Sequence, residues 1–254
     1  MIDLTGRTAL VTGSSRGIGA AIATRLAALG ARVAVHYRSD QVAAEATVGN
    51  LRGDGHVLVG ADLADPDAVS EMVRRVVAAL GGIDVLVNNA GIWSEHALVD
   101  VSYAAWRDAW RRTIATNLFG AADMTYCVAR HMIETGRAGR IVNVSSRGAF
   151  RGEPLHPAYG ASKAAMNSMG QSLARHLGPY GIAVTTVAPG YVDTDMAAPA
   201  LDGPDGDAIR SQSPLGRVAT PDEIAGIVAF LASDHAMIAT GTIVDANGAS
   251  YLRT

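Results

Sequence analysis

The 254 residues predict an α/β fold, a doubly wound parallel sheet of about seven strands with helices on both faces. Three observations carry that expectation. Short apolar runs recur without polar alternation, as suits strands buried on both faces. They alternate with stretches of helical periodicity long enough to act as crossover connections. A hydrophobic content of 49% with only 5% aromatics then calls for an aliphatic core of Ala, Val, Ile and Leu.

Thr8–Thr12 (TALVT) is the first strand; a Gly-rich turn follows, and then a helical stretch to Leu29. Arg32–Tyr37 reads as the next strand and Gln41–Leu51 as helix. His56–Val59 is strand, Pro66–Leu80 is helix with Asp65 and Pro66 as cap and first turn, and Ile83–Val87 is strand. In the second half Ser102–Glu134 is mostly helical, Arg140–Val144 strand, Pro157–Leu177 helix, Ile182–Val187 strand, Pro221–Ala232 helix and Thr242–Val244 strand. No composition break divides the chain, so residues 1–254 are expected to form one domain. The stretch Ala197–Pro214, rich in Pro, Gly, Asp and Ser, follows a strand's carboxyl end. Such sheets bind ligands there, so a lid over 195–214 is preferred to a plain surface loop.

Composition also excludes. A formal charge of −3 provides no general basic field for nucleic acid or an anionic membrane. Cys127 is alone, so one chain builds no disulfide framework and no thiolate zinc site. The seven histidines show no close ligand spacing, and no metal is expected. The opening MIDLTGRTALVTG lacks the basic start and apolar run of a secretion signal, and the longest notable apolar run, Ile224–Ala232, is far too short to span a membrane. A cytoplasmic location is the expectation.

The first turn, Thr12-Gly13-Ser14-Ser15-Arg16-Gly17-Ile18-Gly19, joins strand to helix where a dinucleotide pyrophosphate needs bare backbone N–H groups and a positive dipole end. Such turns also serve simply to tighten a connection; the place after the first strand favours cofactor binding. The second strand ends in Tyr37-Arg38-Ser39 without a carboxylate until Asp40. A carboxylate there would bind the ribose and repel a 2′-phosphate, whereas Arg16 and Arg38 would clamp one. NADP(H) is therefore favoured over NAD(H), the alternative being two ordinary solvated arginines. Tyr159-Gly-Ala-Ser-Lys163 is the strongest signal, because Lys163 is the only lysine of the chain and lies one helical turn from a phenol. A nearby cation favours phenol ionisation, and an ammonium also suits ribose hydroxyls.

Taken together, T-G-x3-G-x-G, Asn88-Asn89-Ala90-Gly91, the Tyr159/Lys163 pair and Pro189-Gly190 resemble, in order and spacing over roughly Thr8 to Gly248, the short-chain dehydrogenase/reductase family. The resemblance implies a Rossmann-type fold and a catalytic set of Asn117, Ser146, Tyr159 and Lys163. Ser146 rather than Ser145 is chosen because it stands thirteen residues before Tyr159, and Asn117 resembles the helix Asn that holds a water in a proton relay. For the cofactor it implies contacts from Gly13, Ser15, Arg16, Gly17, Ile18 and Gly19; from Tyr37, Arg38 and Ser39; from Asp62 and Leu63 at the adenine; from Asn89, Ala90 and Gly91; from Tyr159 and Lys163; and from Pro189, Gly190, Val192 and Thr194 at the nicotinamide.

Within the family the chain is most similar to 3-oxoacyl-(acyl-carrier-protein) reductases, which implies reduction of a 3-oxoacyl thioester or related ketone and a homotetramer or dimer. Helices around 103–134 and 157–178 carry Ala, Met and Leu on more faces than one sheet covers, in keeping with such assembly. Arg137 matches one basic residue used for carrier-protein docking, but Tyr180 stands at the other position, which puts an acyl-carrier partner in doubt. The stretch between Gly91 and Asn117 is about one helical turn longer than usual. Phe150, Leu155 and Trp93 point to an apolar substrate cavity, with Arg147, Arg151 and Glu153 at its rim or on the surface. The alternatives are a dehydrogenase of another alcohol, of sugar, steroid or polyketide type, and a non-catalytic NADP sensor on the same fold.

Overall fold

The computed structural model describes residues 2–253. Seven strands form one parallel sheet in the order β3-β2-β1-β4-β5-β6-β7. They are β1 (Thr8–Val11), β2 (Arg32–Tyr37), β3 (Val57–Gly60), β4 (Val85–Asn88), β5 (Gly139–Val144), β6 (Ile182–Pro189) and β7 (Ile243–Ala246). The strand order reverses at β1, which pairs with β2 on one side and β4 on the other. A crevice opens at such a switch point, beyond the strands' carboxyl ends.

Helices α1 (Gly17–Ala28), α2 (Gln41–Gly49) and α3 (Pro66–Leu80) connect the first four strands. Alternate β1 residues feed opposite cores. Ala9 and Val11 pack with Ile22 and Leu26 of α1, while Leu10 joins Met72 and Val76 of α3 on the other face. Side chains alternate across a strand, so one apolar run supplies both layers. Caps fix the helix starts: Asp65 Oδ1 accepts from the N–H groups of Asp67 and Ala68, and Gly81 ends α3 with a left-handed φ of 77°.

The long helical stretch expected at Ser102–Glu134 is α4 (Tyr103–Ile114) and α5 (Gly120–Glu134), joined without a break by a π-helical turn, Ala115–Phe119. Ser102 caps it rather than belonging to it. A four-residue helix, α6 (Gly148–Arg151), precedes α7 (Pro157–Leu177). The region expected as an irregular lid contains two short helices, α8 (Ala198–Leu201) and α9 (Gly206–Ser211). Apart from β2, strand bounds shift by up to two residues from the sequence expectation, since end residues such as the polar Asn88 and the ring-constrained Pro189 still pair with their neighbours. Last comes α10 (Pro221–Leu231), started by a reciprocal cap between Thr220 and Glu223 and packed beside α1.

Candidate active site

The turn after β1 is built tightly. A Cβ at Gly13 would stand 2.8 Å from Ala90 Cα, and one at Gly19 would strike the Gly13 carbonyl at 2.2 Å, so neither position admits a side chain. Arg16 precedes α1 without capping it, and no acidic residue lies in the first turn. The helix therefore presents unpaired N–H groups and its positive end to the crevice, an arrangement fitted to a pyrophosphate.

Neighbouring strands hold this turn. Thr12 Oγ1 accepts from the N–H groups of Asn89 and Ala90, both at 3.0 Å, while Asn89 Nδ2 donates to the Thr12 and Gly13 carbonyls. His36, which the sequence did not single out, links three strand ends. Its Nδ1 accepts from Gly13 N–H at 2.9 Å, so Nε2 carries the proton directed at the Ala61 carbonyl, 3.1 Å away. Burial holds this imidazole below its ordinary pKa and thus neutral. A polar residue within an otherwise apolar strand was the only sequence signal of that role.

Arg16, just before α1, and Arg38, just after β2, line the crevice, and neither guanidinium has a protein hydrogen-bond partner among the described residues. Asp40, the nearest carboxylate along the chain, caps α2 by accepting from Ala43 N–H at 3.0 Å. A cavity of about 340 Å³ runs from there to the catalytic end. Every cofactor contact expected from the sequence, together with Ser146, lines it.

Asn117 lies behind the cavity wall rather than on it. It occupies the π turn, fully buried, where Nδ2 donates to the Ile92 carbonyl and to Ser162 Oγ, and Oδ1 accepts from Ile92 N–H. A point above Gly91 lies 3.4 Å from Asn117 Oδ1 and 3.6 Å from Lys163 Nζ, so the bare glycine keeps those two polar groups in reach of common space.

The serine pair at the end of β5 divides its roles. Ser145 Oγ is turned to α7 and donates to the Lys163 carbonyl. Ser146 Oγ accepts from Gly148 N–H at 3.0 Å, which leaves its own proton for the cavity. Tyr159, on the first turn of α7, faces it. Lys163 Nζ donates to the Val144 carbonyl at 2.8 Å and lies 5.7 Å from the Tyr159 ring centre. Burial dominates both groups. It pushes the phenol up to about 12, against the pull of the Ser146 hydrogen bond, and the ammonium down to about 8. The proximity expected from the i,i+4 spacing is present, yet in this structure desolvation outweighs any lowering of the phenol.

The first turn of α7 is also held from outside. His96 Nε2 accepts from Ala158 N–H at 3.2 Å while its Nδ1 donates to the Ser94 carbonyl. Trp93 is stacked on His156, ring centres 4.0 Å apart. These contacts brace the first turn of α7 from the segment between Gly91 and Asn117. Of Arg147, Arg151 and Glu153, expected at the rim or on the surface, Arg147 and Glu153 line the cavity, Glu153 beside Tyr159.

A family model described as Enoyl-(Acyl carrier protein) reductase matches residues 13–248. L-rhamnose 1-dehydrogenase (NAD(P)(+)) of Azotobacter vinelandii is 40% identical over 98% of this chain and 98% of its own length. A 3-oxoacyl-(acyl-carrier-protein) reductase of Staphylococcus epidermidis is 39% identical over 97% of this chain and 99% of its own. Among solved structures, a short chain dehydrogenase from Burkholderia cenocepacia in complex with NADP matches with a TM-score of 0.87 at 41% identity, covering 97% of this chain and 98% of that one. With matches of that extent joined to the glycine turn, the Ser146–Tyr159–Lys163 cluster and the seven-stranded sheet, the chain belongs to the short-chain dehydrogenase/reductase family, a family of nicotinamide-dependent oxidoreductases.

Proposed function

We propose that the protein is an NADP(H)-dependent enzyme interconverting a carbonyl and a secondary alcohol within one cofactor-binding and catalytic domain. The observation that carries this reading is the convergence of Ser146, Tyr159 and Lys163 at one end of the cavity lined by the glycine turn and by Arg16 and Arg38. When bound, the nicotinamide supplies or accepts a hydride. Ser146, its lone pair engaged by Gly148 N–H, donates to the substrate carbonyl oxygen and polarises it. Tyr159 gives its proton to that oxygen as negative charge develops; a phenol held near 12 is fully protonated at neutral pH and so ready for reduction. Lys163 offers its ammonium to the cofactor ribose, and Asn117 orders the space between Gly91 and Lys163 for proton resupply.

NADP(H) is favoured because two guanidiniums without protein partners line the cavity at the end of β2, where the carboxylate also lining it, Asp40, has one oxygen engaged as a helix cap. The NADP named with the Burkholderia structure and the NAD(P)(+) of the rhamnose dehydrogenase are in keeping with this. Docking of an acyl-carrier protein is disfavoured. Arg137 donates to Asp84 Oδ1 at 3.0 Å and to the Gly81 carbonyl, and the second docking position is Tyr180. Assembly as a homotetramer and a cytoplasmic location complete the reading.

Loss of reduced-nicotinamide absorbance over β-ketoacyl thioesters, diketones, keto-sugars and steroid ketones tests the proposal, with NADPH expected to outperform NADH. Tyr159→Phe should lower kcat by about 10²–10⁴-fold while sparing NADPH affinity. NADPH binding without turnover of any member would favour the sensor reading instead.

A further inference from the structure

We propose that Glu153 determines substrate class, selecting hydroxyl-rich, sugar-like carbonyl compounds over acyl and acidic ones. This rests on the oxidoreductase reading above and deepens it. Glu153 sits between α6 and α7 and lines the same cavity as Ser146 and Tyr159. Among the described residues its carboxylate has no hydrogen-bond donor and no ion pair. The two guanidiniums nearest in the chain are committed elsewhere. Arg147 donates to Ser250 Oγ and to Gln212 Oε1, and Arg151 donates to the same Gln212 oxygen.

The chain makes room for this carboxylate. A Cβ at Gly148 would stand 2.5 Å from Glu153 Oε1, while one at Gly160, beside Tyr159, would press first on the Gly148 carbonyl oxygen at 3.2 Å and meet Glu153 Cβ and Cγ only at an ordinary contact of 3.7 Å. The bare Gly148 thus seats an acidic side chain beside the turn that bears Tyr159. Burial raises its carboxyl above the usual range in spite of both arginines, and its charge in turn pushes Tyr159 and Tyr191 upward.

A half-buried carboxylate without protein donors is only partly served by solvent, and ligand donors relieve the remaining cost. Adjacent hydroxyls of a polyol suit its two oxygens. An acyl chain would leave it unpaired, and a substrate carboxylate or phosphate would be repelled. Trp93, fixed by its stack on His156, adds a rigid aromatic wall to the same cavity, suited to the C–H face of a sugar.

A matched pair of substrates tests the assignment: 1,3,4-trihydroxybutan-2-one against butan-2-one, each reduced with NADPH, with 2-oxobutanoate as the acidic member. Comparing the ratio of kcat/KM values between wild type and variant cancels their intrinsic reactivities. In Glu153→Gln the ratio of hydroxylated to plain ketone should fall at least tenfold, chiefly through KM. In that same variant kcat/KM for 2-oxobutanoate should rise, and Glu153→Asp should give an intermediate ratio. A ratio within twofold of wild type, or an equal loss on both ketones, would overturn the assignment, the latter marking Glu153 as a tuner of Tyr159. Absence of turnover on every member by wild type that binds NADPH would overturn the oxidoreductase reading, and this one with it.

Discussion

Tyr159 and Lys163 are held apart in pKa by the same burial that brings them together. The ammonium, ordinarily at 10.5, is lowered to about 8, so the folded protein releases this proton before the unfolded chain does. Below pH 8 both states hold it. Between 8 and 10.5 only the unfolded chain holds it, and stability gained with rising pH amounts to about 3 kcal/mol. Urea unfolding of the cofactor-free protein at pH 7.5 and 10.5 should show wild type gaining about that much on Lys163→Met. A difference that does not change with pH would show the ammonium to be better solvated than its burial indicates. At this scale the sequence was informative where chemistry is rare: one lysine four residues after a tyrosine is conspicuous in any register. It was uninformative for Glu153, whose meaning lies in where Arg147 and Arg151 direct their guanidiniums, and for His36, whose partners Gly13 and Ala61 lie just beyond two other strands, β1 and β3.

The elements differ in how they are secured. Strands end where backbone pairing ends, and helices α2, α3 and α10 begin at Asp40, Asp65 and Thr220, caps that can be read locally. The π turn at Ala115–Phe119 cannot be read so. It exists because Asn117 must reach the Ile92 backbone and Ser162 at once, a demand made by tertiary contacts. The segment over 195–214 was legible as a ligand-proximal region, but α8 and α9 were masked by its Pro, Gly and Asp content. One glutamine latches it to the loop after β5, since Gln212 Oε1 accepts from Arg147 at 2.7 Å and from Arg151 at 3.2 Å. Gln212→Ala should speed hydrogen exchange across 198–213 and raise substrate KM by about five- to tenfold, a loss of the order of one charge-assisted hydrogen bond. Unaltered exchange there would place the restraint in other contacts.

On the scale of the whole molecule, the strand order brings the expected catalytic and cofactor-contact residues together beyond the carboxyl ends of the strands, and the alternation of strand and helix predicted that much. Which surface meets another copy is less legible, because helical apolar positions serve core and interface alike. Phe119 and Tyr126, two turns apart, leave 60% and 69% of their surface open on the α4–α5 side, with Tyr103 on α4 also exposed. Ile238 and Leu252 stand open near the β7 edge. Two separate apolar faces suit a closed assembly with two kinds of contact. Light scattering at micromolar concentration should give the mass of four 26.2 kDa chains, and Tyr126→Glu a smaller species. A monomeric wild type would leave both faces without that explanation.

The reversal of strand order at β1 also has a temporal side. Strands β1 to β4, with the glycine turn, His36 and Asn89, all lie within the first 91 residues, whereas Ser146, Tyr159 and Lys163 are made later and dock on β4 through β5. As the chain is made, the glycine turn and its supports on β1, β2 and β4 are therefore complete before β5, the second partner of β4, exists. The surface on which the Ser146–Tyr159–Lys163 cluster must assemble is thus present first, with β4 as the strand of that half still awaiting a neighbour.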